Sequence, residues 1–239
     1  MNRIVVTVLF ILWAFCTSAN AQKIYLLSVG IADYPGKEND LALPARDAKE
    51  MYRLYGKNTQ SQTVLLTNSN ATKNHITTEA RKLFGKAGKN DIVVLFFSGH
   101  GYKGGFVAYD DYLSYSDVRK LISSCKAKNK MIFADACFSG DIRDGESTGR
   151  NDPNNNIMLL LSSRDKELSL ESPSMKNGYF TACLVRSLKG GADVNRDRTI
   201  TAKELFKAVS KEVRRLSQEK QHPVMWGNFE DNMPVMVWK

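Results

Sequence analysis

Residues 91–101 read DIVVLFFSGHG, and residues 130–140 read KMIFADACFSG. Each is a short, continuous apolar run ending in a small-residue turn, the pattern of a strand buried on both faces. Each also delivers a reactive side chain just past its end, His100 in the first and Cys137 in the second. In an open parallel sheet, ligands bind beyond the carboxyl ends of the strands, so residues at those ends can meet substrate. Glycines at 99, 101 and 140 let the backbone turn sharply beside them. If the two strands are neighbours, about 5 Å apart, the imidazole reaches the thiol. Thiolate is then the nucleophile, and the same imidazole returns a proton to the leaving amine. Taken singly, such a cysteine is more often a buried structural thiol and such a histidine a turn residue. It is the matching positions that point to catalysis.

Outward from these two runs, strands and helices alternate. KIYLLSVGIADY (23–34), TVLLTN (63–68) and NIMLLLSS (156–163) read as strands. PARDAKEMYRLYG (44–56) reads as a helix opened by Pro44 and stopped by Gly56, with Ala45, Ala48, Met51, Tyr52 and Tyr55 on one face. HITTEARKLFGKAG (75–88), a segment ending near Cys125, GYFTACLVRSLKG (178–190) and TITAKELFKAVSKEVRRLSQEK (199–220) are further helices, and GGFVAYDDYL (104–113) is a hairpin. The order predicts an α/β fold, a mostly parallel sheet with helices on both faces. The turn-rich stretches 141–156 and 164–177 are surface loops.

A basic start, the apolar run IVVTVLFILWAFC (4–16) and Ala19-x-Ala21 form an export signal, so residues 1–21 are a leader and Gln22–Lys239 one domain. The apolar run is too short to span the bilayer, and Phe15 before Cys16 argues against a lipoprotein. The chain is expected to be exported, periplasmic or secreted, with no membrane span once the leader is removed. Formal charge is +9, falling to +8 with the loss of Arg3, and it is dispersed, without the aromatic-interleaved basic motif of a nucleic-acid binder. Three cysteines remain, Cys125, Cys137 and Cys183. A Cys125–Cys183 bridge and two buried reduced thiols are both open.

The combination of SGHG after an apolar strand, then GGFVAYDD, then DACFSG after the next resembles the caspase-like cysteine peptidases, in their metacaspase and bacterial branch. The similarity extends from about Lys23 to the carboxyl end, through GYFTACLVRSL and DVNRDRTITAKEL. It implies a caspase-like sheet, a His100–Cys137 dyad, an acyl-enzyme on Cys137, and an oxyanion hole from the backbone N–H groups of Gly101 and Cys137. Asp135 stands where animal caspases carry Gln. Relatives of the metacaspase branch cleave after Arg or Lys and line the substrate pocket with acids, which implies that role for Asp135 and Asp47. Strand alternation sets Asp135 on the same side as Cys137, and two carboxylates suit a buried guanidinium. Asp47 also has a structural use as an acid in the first turn of a helix. Ser163 either lines the cleft or caps its strand. Arg143 and Arg150 lie where relatives are often self-cleaved. The implied partner is a peptide or protein with Arg or Lys before the scissile bond, and no cofactor is required. The competing class is a non-catalytic binding protein of the same fold that recognises basic peptides, and a third is amide transfer through the same acyl-enzyme.

DVNRDRTITAKE (193–204) places oxygens at Asp193, Asn195, Asp197, Thr199, Thr201 and Glu204, the spacing of a calcium loop. Arg198 takes the position of the usual glycine, and Thr201-x-x-Glu204 is also a helix capping box. A structural role and calcium as an activator or structural ion therefore both stand. Relatives that bind calcium elsewhere point, more weakly, to Asp141 and Asp144.

Overall fold

Four apolar runs dictate the centre of the molecule: β1 (Ile24–Gly30), β3 (Ile92–Ser98), β7 (Asn129–Asp135) and β8 (Ile157–Leu161) are buried along almost their whole length. The computed structural model describes residues 22–136, 157–164 and 176–238. Between the central strands lie α1 (Pro44–Gly56), β2 (Ser61–Thr67), α2 (Lys73–Phe84), the short strands β4 (Gly101–Tyr102), β5 (Gly105–Val107) and β6 (Tyr112–Ser114), and α3 (Tyr115–Ser123). After β8 come α4 (Tyr179–Arg186), β9 (Thr199–Thr201), α5 (Ala202–Leu216), β10 (Val224–Gly227) and β11 (Pro234–Val237).

The main sheet runs β10-β8-β7-β3-β1-β2. Five of its strands are parallel, and β10 joins β8 antiparallel as an edge. Both faces are apolar because successive side chains alternate between two cores. Val93, Leu95, Phe97, Ile132 and Ala134 join the core under α2 and α3. Ile92, Val94, Phe96, Met131 and Phe133 join the core under α1, α4 and α5. A buried side chain such as Phe96 or Phe133 contributes roughly 1.5–3 kcal/mol through removal from water. The same alternation turns Ser98 and Asp135, the last residues of β3 and β7, toward the α1/α4 side.

Helices on both faces and a mostly parallel sheet agree with the sequence expectation, and α1 has the expected bounds, with Pro44 in its first turn. Other elements differ. Thr199–Thr201, read as the start of a long helix, is a strand paired with β11, and α5 begins only after it. That helix also stops at Leu216, and Gln218 and Glu219 beyond it have positive φ. The helix from Tyr179 ends at Arg186 in a wide turn through Gly190, whose φ of 113° is a left-handed conformation suited to glycine. The hairpin is β5–β6, extended by β4 into three strands. The Cys125–Cys183 bridge is absent: both thiols are free, and they belong to the cores on opposite faces of the sheet. Burial raises both thiol pKa values, that of Cys183 to about 12.

Residues 1–21 and the stretch carrying Cys137, Gly140, Asp141, Arg143, Asp144 and Arg150 lie outside the described residues. Among those described, no helix is long and apolar enough to cross a membrane.

Candidate active site

β3 and β7 are adjacent and parallel, and their register pairs Ser98 with Asp135. His100 is two residues beyond Ser98, and Cys137 is two residues beyond Asp135. The chain leading to the cysteine is fixed as far as Ala136, which is buried and whose carbonyl accepts from the Ser162 hydroxyl at 3.3 Å. The neighbouring-strand condition set by the sequence is thus met.

His100 is held from two directions. Its backbone N–H donates to the Tyr34 hydroxyl at 3.0 Å, and that hydroxyl donates to the Val107 carbonyl at 3.1 Å. The Tyr34 and His100 rings lie 4.9 Å apart, tilted at 46°. Burial pushes the Tyr34 hydroxyl pKa up, so it remains a protonated donor at neutral pH. The imidazole Nε2 lies 2.8 Å from the Asn39 carbonyl oxygen, which can only accept. Nε2 therefore carries the proton in the neutral ring, which leaves Nδ1 as the basic nitrogen. Gly99, before the histidine, has a φ of 155°, and a Cβ there would come within 2.6 Å of the Tyr34 hydroxyl. Gly101, the expected oxyanion donor, opens β4 opposite Phe106.

The two acids expected in a substrate pocket come together although 88 positions apart. α1 starts hard against the end of β1, where a Cβ on Gly30 would collide with the Pro44 carbonyl, and its first turn carries Asp47 inward. Asp47 is 2 % exposed and Asp135 7 %. Oδ1 of Asp47 accepts from the Asn177 side chain at 2.8 Å and the Gly178 N–H at 3.3 Å, and Oδ2 accepts from the Ser98 hydroxyl at 3.1 Å. Oδ2 of Asp135 accepts from the Thr181 hydroxyl at 2.7 Å and its N–H at 3.3 Å. Gly178 sits between the carboxylates, since a Cβ on it would lie 2.8 Å from Asp135 Oδ2 and 3.5 Å from Asp47 Oδ2. Burial, and then the charge of Asp135, raise the Asp47 pKa well above the ordinary carboxylate range, outweighing the three hydrogen bonds.

The helix-dipole use considered for Asp47 from sequence does not account for its contacts. Asp47 accepts from groups on other elements, so helix-dipole stabilisation is not its main contact. Asp135 has a structural partner that the sequence does not reveal, because it closes the first turn of α4 through Thr181. Ser163 is fully buried just past β8.

In the 193–204 loop, Arg196 and Arg198 adopt positive φ, 60° and 67°. Asp193 Oδ2 accepts from the Arg198 N–H at 3.0 Å, and Asp197 bonds Asn195 and Thr199. Thr201 and Glu204 form the capping box at the start of α5. Asp193 Oδ1 is buried without a hydrogen-bond partner, yet among the described residues no three acidic, histidine or cysteine side chains converge as metal ligands.

A family model for the caspase domain matches residues 25–233. The chain belongs to the caspase-domain family. Membership makes it one of a family of cysteine peptidases in general. A solved structure, protein GSU0716 from Geobacter sulfurreducens, is similar to this caspase domain with a TM-score of 0.67 at 18 % identity, covering 91 % of this chain and 100 % of its own. At that identity the likeness concerns the fold. Comparison with curated proteins gives no match.

Several residues of the site escaped the sequence reading. Asn39 acts through its backbone, Tyr34 through a hydroxyl brought from a loop, and Asn177, Gly178 and Thr181 through the entry of α4. Only the Gly178-Tyr179 helix start left a trace in the sequence.

Proposed function

We propose that this caspase domain is an endopeptidase that cleaves after Arg or Lys, with Cys137 as nucleophile and His100 as its base. The supporting observation is the β3–β7 register, which gives the histidine and the cysteine the same offset from paired residues. In this reading Nδ1 of His100 exchanges the thiol proton while the Asn39 carbonyl holds Nε2–H. The thiolate attacks the scissile carbonyl, and the Gly101 and Cys137 N–H groups take the developing oxyanion. The imidazolium protonates the departing amine, and water then releases the acyl group from sulfur. The acid pair supplies the preference: two buried carboxylates, one with a raised pKa, repel each other until a guanidinium or ammonium enters between them.

No cofactor takes part in the chemical step. The 193–204 loop is read as the structural entry to α5, on the strength of its capping box. The second reading, a calcium loop, is supported by the orphaned Asp193 Oδ1. Export to the periplasm or medium rests on the composition of residues 1–21. The test of the main reading is labelling by a peptidyl-arginine chloromethyl ketone: one adduct is expected on Cys137 and none in Cys137→Ala. Unaltered labelling and hydrolysis in that variant would refute it.

A further inference from the structure

A cavity of about 510 Å³ opens beside His100. Its walls include Tyr34, His100, Gly101, Tyr102, Tyr109 and Tyr112. Asp47 and Asp135 do not line it. Tyr34, Val107 and Tyr109 pack on the α2/α3 core, whereas the helix bearing Asp47 packs on the α1/α4 core, so the cavity and the acid pair belong to opposite faces of the sheet.

We propose that this cavity receives the first residue beyond the scissile bond and selects an aromatic side chain there; the proposal rests on the peptidase reading above. The geometry of the reaction drives the placement. The leaving nitrogen must come within hydrogen-bond reach of the imidazole, so the residue that carries it lies against His100. With the side chain before the bond directed to the acid pair on one face, the chain leaving the bond passes His100 toward the other face, where this cavity is. The lining sets the chemistry. Tyr102 and Tyr112 form a tilted pair with ring centroids 4.6 Å apart, an arrangement that adds edge and face contacts for a third ring. Of the two acids at the rim, Asp111 is paired with Lys73 Nζ at 2.8 Å, and Asp110 accepts from the Lys73 backbone N–H at 2.8 Å. The volume suits one large side chain and part of the next residue. Tyr112 is 58 % exposed, so its ring is open to a ligand in the cavity.

The test uses the full chain and three substrates that share Arg before the bond: a peptide continuing with Phe, the same peptide with Gly, and a blocked arginine methyl ester whose leaving group is too small to fill the cavity. Hydrolysis of the ester reports the dyad and the acid pair independently of the cavity. The expected kcat/KM ratio of the Phe to the Gly peptide is about 10- to 100-fold. It falls toward unity in Tyr112→Ala and is kept in Tyr112→Phe, and because it is taken within each enzyme, losses common to both peptides cancel. Ester hydrolysis with a Phe-to-Gly ratio near one, or a larger gain with Lys than with Phe at that position, overturns the inference and leaves the peptidase reading standing. A high ratio unmoved by Tyr112→Ala also overturns it. Hydrolysis of neither ester nor peptide sinks the peptidase reading and this inference together.

Discussion

Asp47→Asn should stabilise the free protein and disable it toward basic substrates. The replacement preserves shape and most of the hydrogen bonding: an amide oxygen can accept from Asn177 and Gly178 as Oδ1 does, and an amide N–H can face the Ser98 hydroxyl, which can accept. What it removes is a buried charge beside Asp135. Because the Asp47 pKa is raised by burial and then by Asp135, the folded protein holds this proton more tightly than the unfolded chain does. Wild-type stability from this group therefore falls as pH climbs from the unfolded carboxylate range through the raised folded value, and stays lower above it. Below about pH 3 both states are protonated and the advantage of Asn disappears. Single substitutions of this kind change stability by on the order of 1 kcal/mol, and each kcal/mol raises Tm by about 2–4 °C for a chain of this size. Urea unfolding of both proteins across that pH range measures the difference directly. In the same variant, loss of one partner of a buried charge pair costs about 2–5 kcal/mol, at least roughly a 30-fold drop in kcat/KM on Arg peptides. A variant that is less stable than wild type by the same amount at neutral and acid pH would refute the reasoning, because it would show the hydrogen bonds, not the repulsion, to dominate.

Gly178→Ala pushes a methyl group to within 2.8 Å of Asp135 Oδ2, so Asp135 or the entry of α4 must shift; kcat/KM on Arg peptides should fall about tenfold or more, with a stability loss of about 1–3 kcal/mol. Steady-state kinetics and thermal melting check this, and unchanged kinetics would separate Gly178 from substrate binding. Millimolar calcium, added against a chelator and against magnesium, should leave Tm unmoved if the capping box is the whole use of the 193–204 loop. A calcium-specific rise abolished by Asp193→Asn would establish the ion site instead.

The sheet was legible because its strands bury both faces and so read as continuous apolar runs, as in residues 92–97 and 131–134. Helix α1 was equally plain from its proline start and apolar stripe. Strands β9, β10 and β11 were not. They are three or four residues long and paired across large sequence separations, and Thr199–Thr201 borrows helical character from the capping box that follows. Within the site, Asp47 and Asp135 could be nominated as residues, but not as neighbours. Their approach depends on Gly178 at the start of α4, which no local pattern ties to either acid. The Asn39 carbonyl was invisible in principle, since any residue type supplies that oxygen and only the backbone conformation aims it at His100.

The acid pair has a consequence for the timing of activity. Its parts come from the first turn of α1, the ends of β3 and β7, and the entry of α4, so its contacts join residues as far apart as 47 and 178. Contacts of such long sequence separation form late, after the loop-closure entropy between them has been overcome. A chain still being synthesised holds the four pieces apart. The buried acid pair comes into being only when the last of them docks, so whatever the finished pair does is closed to the half-made chain.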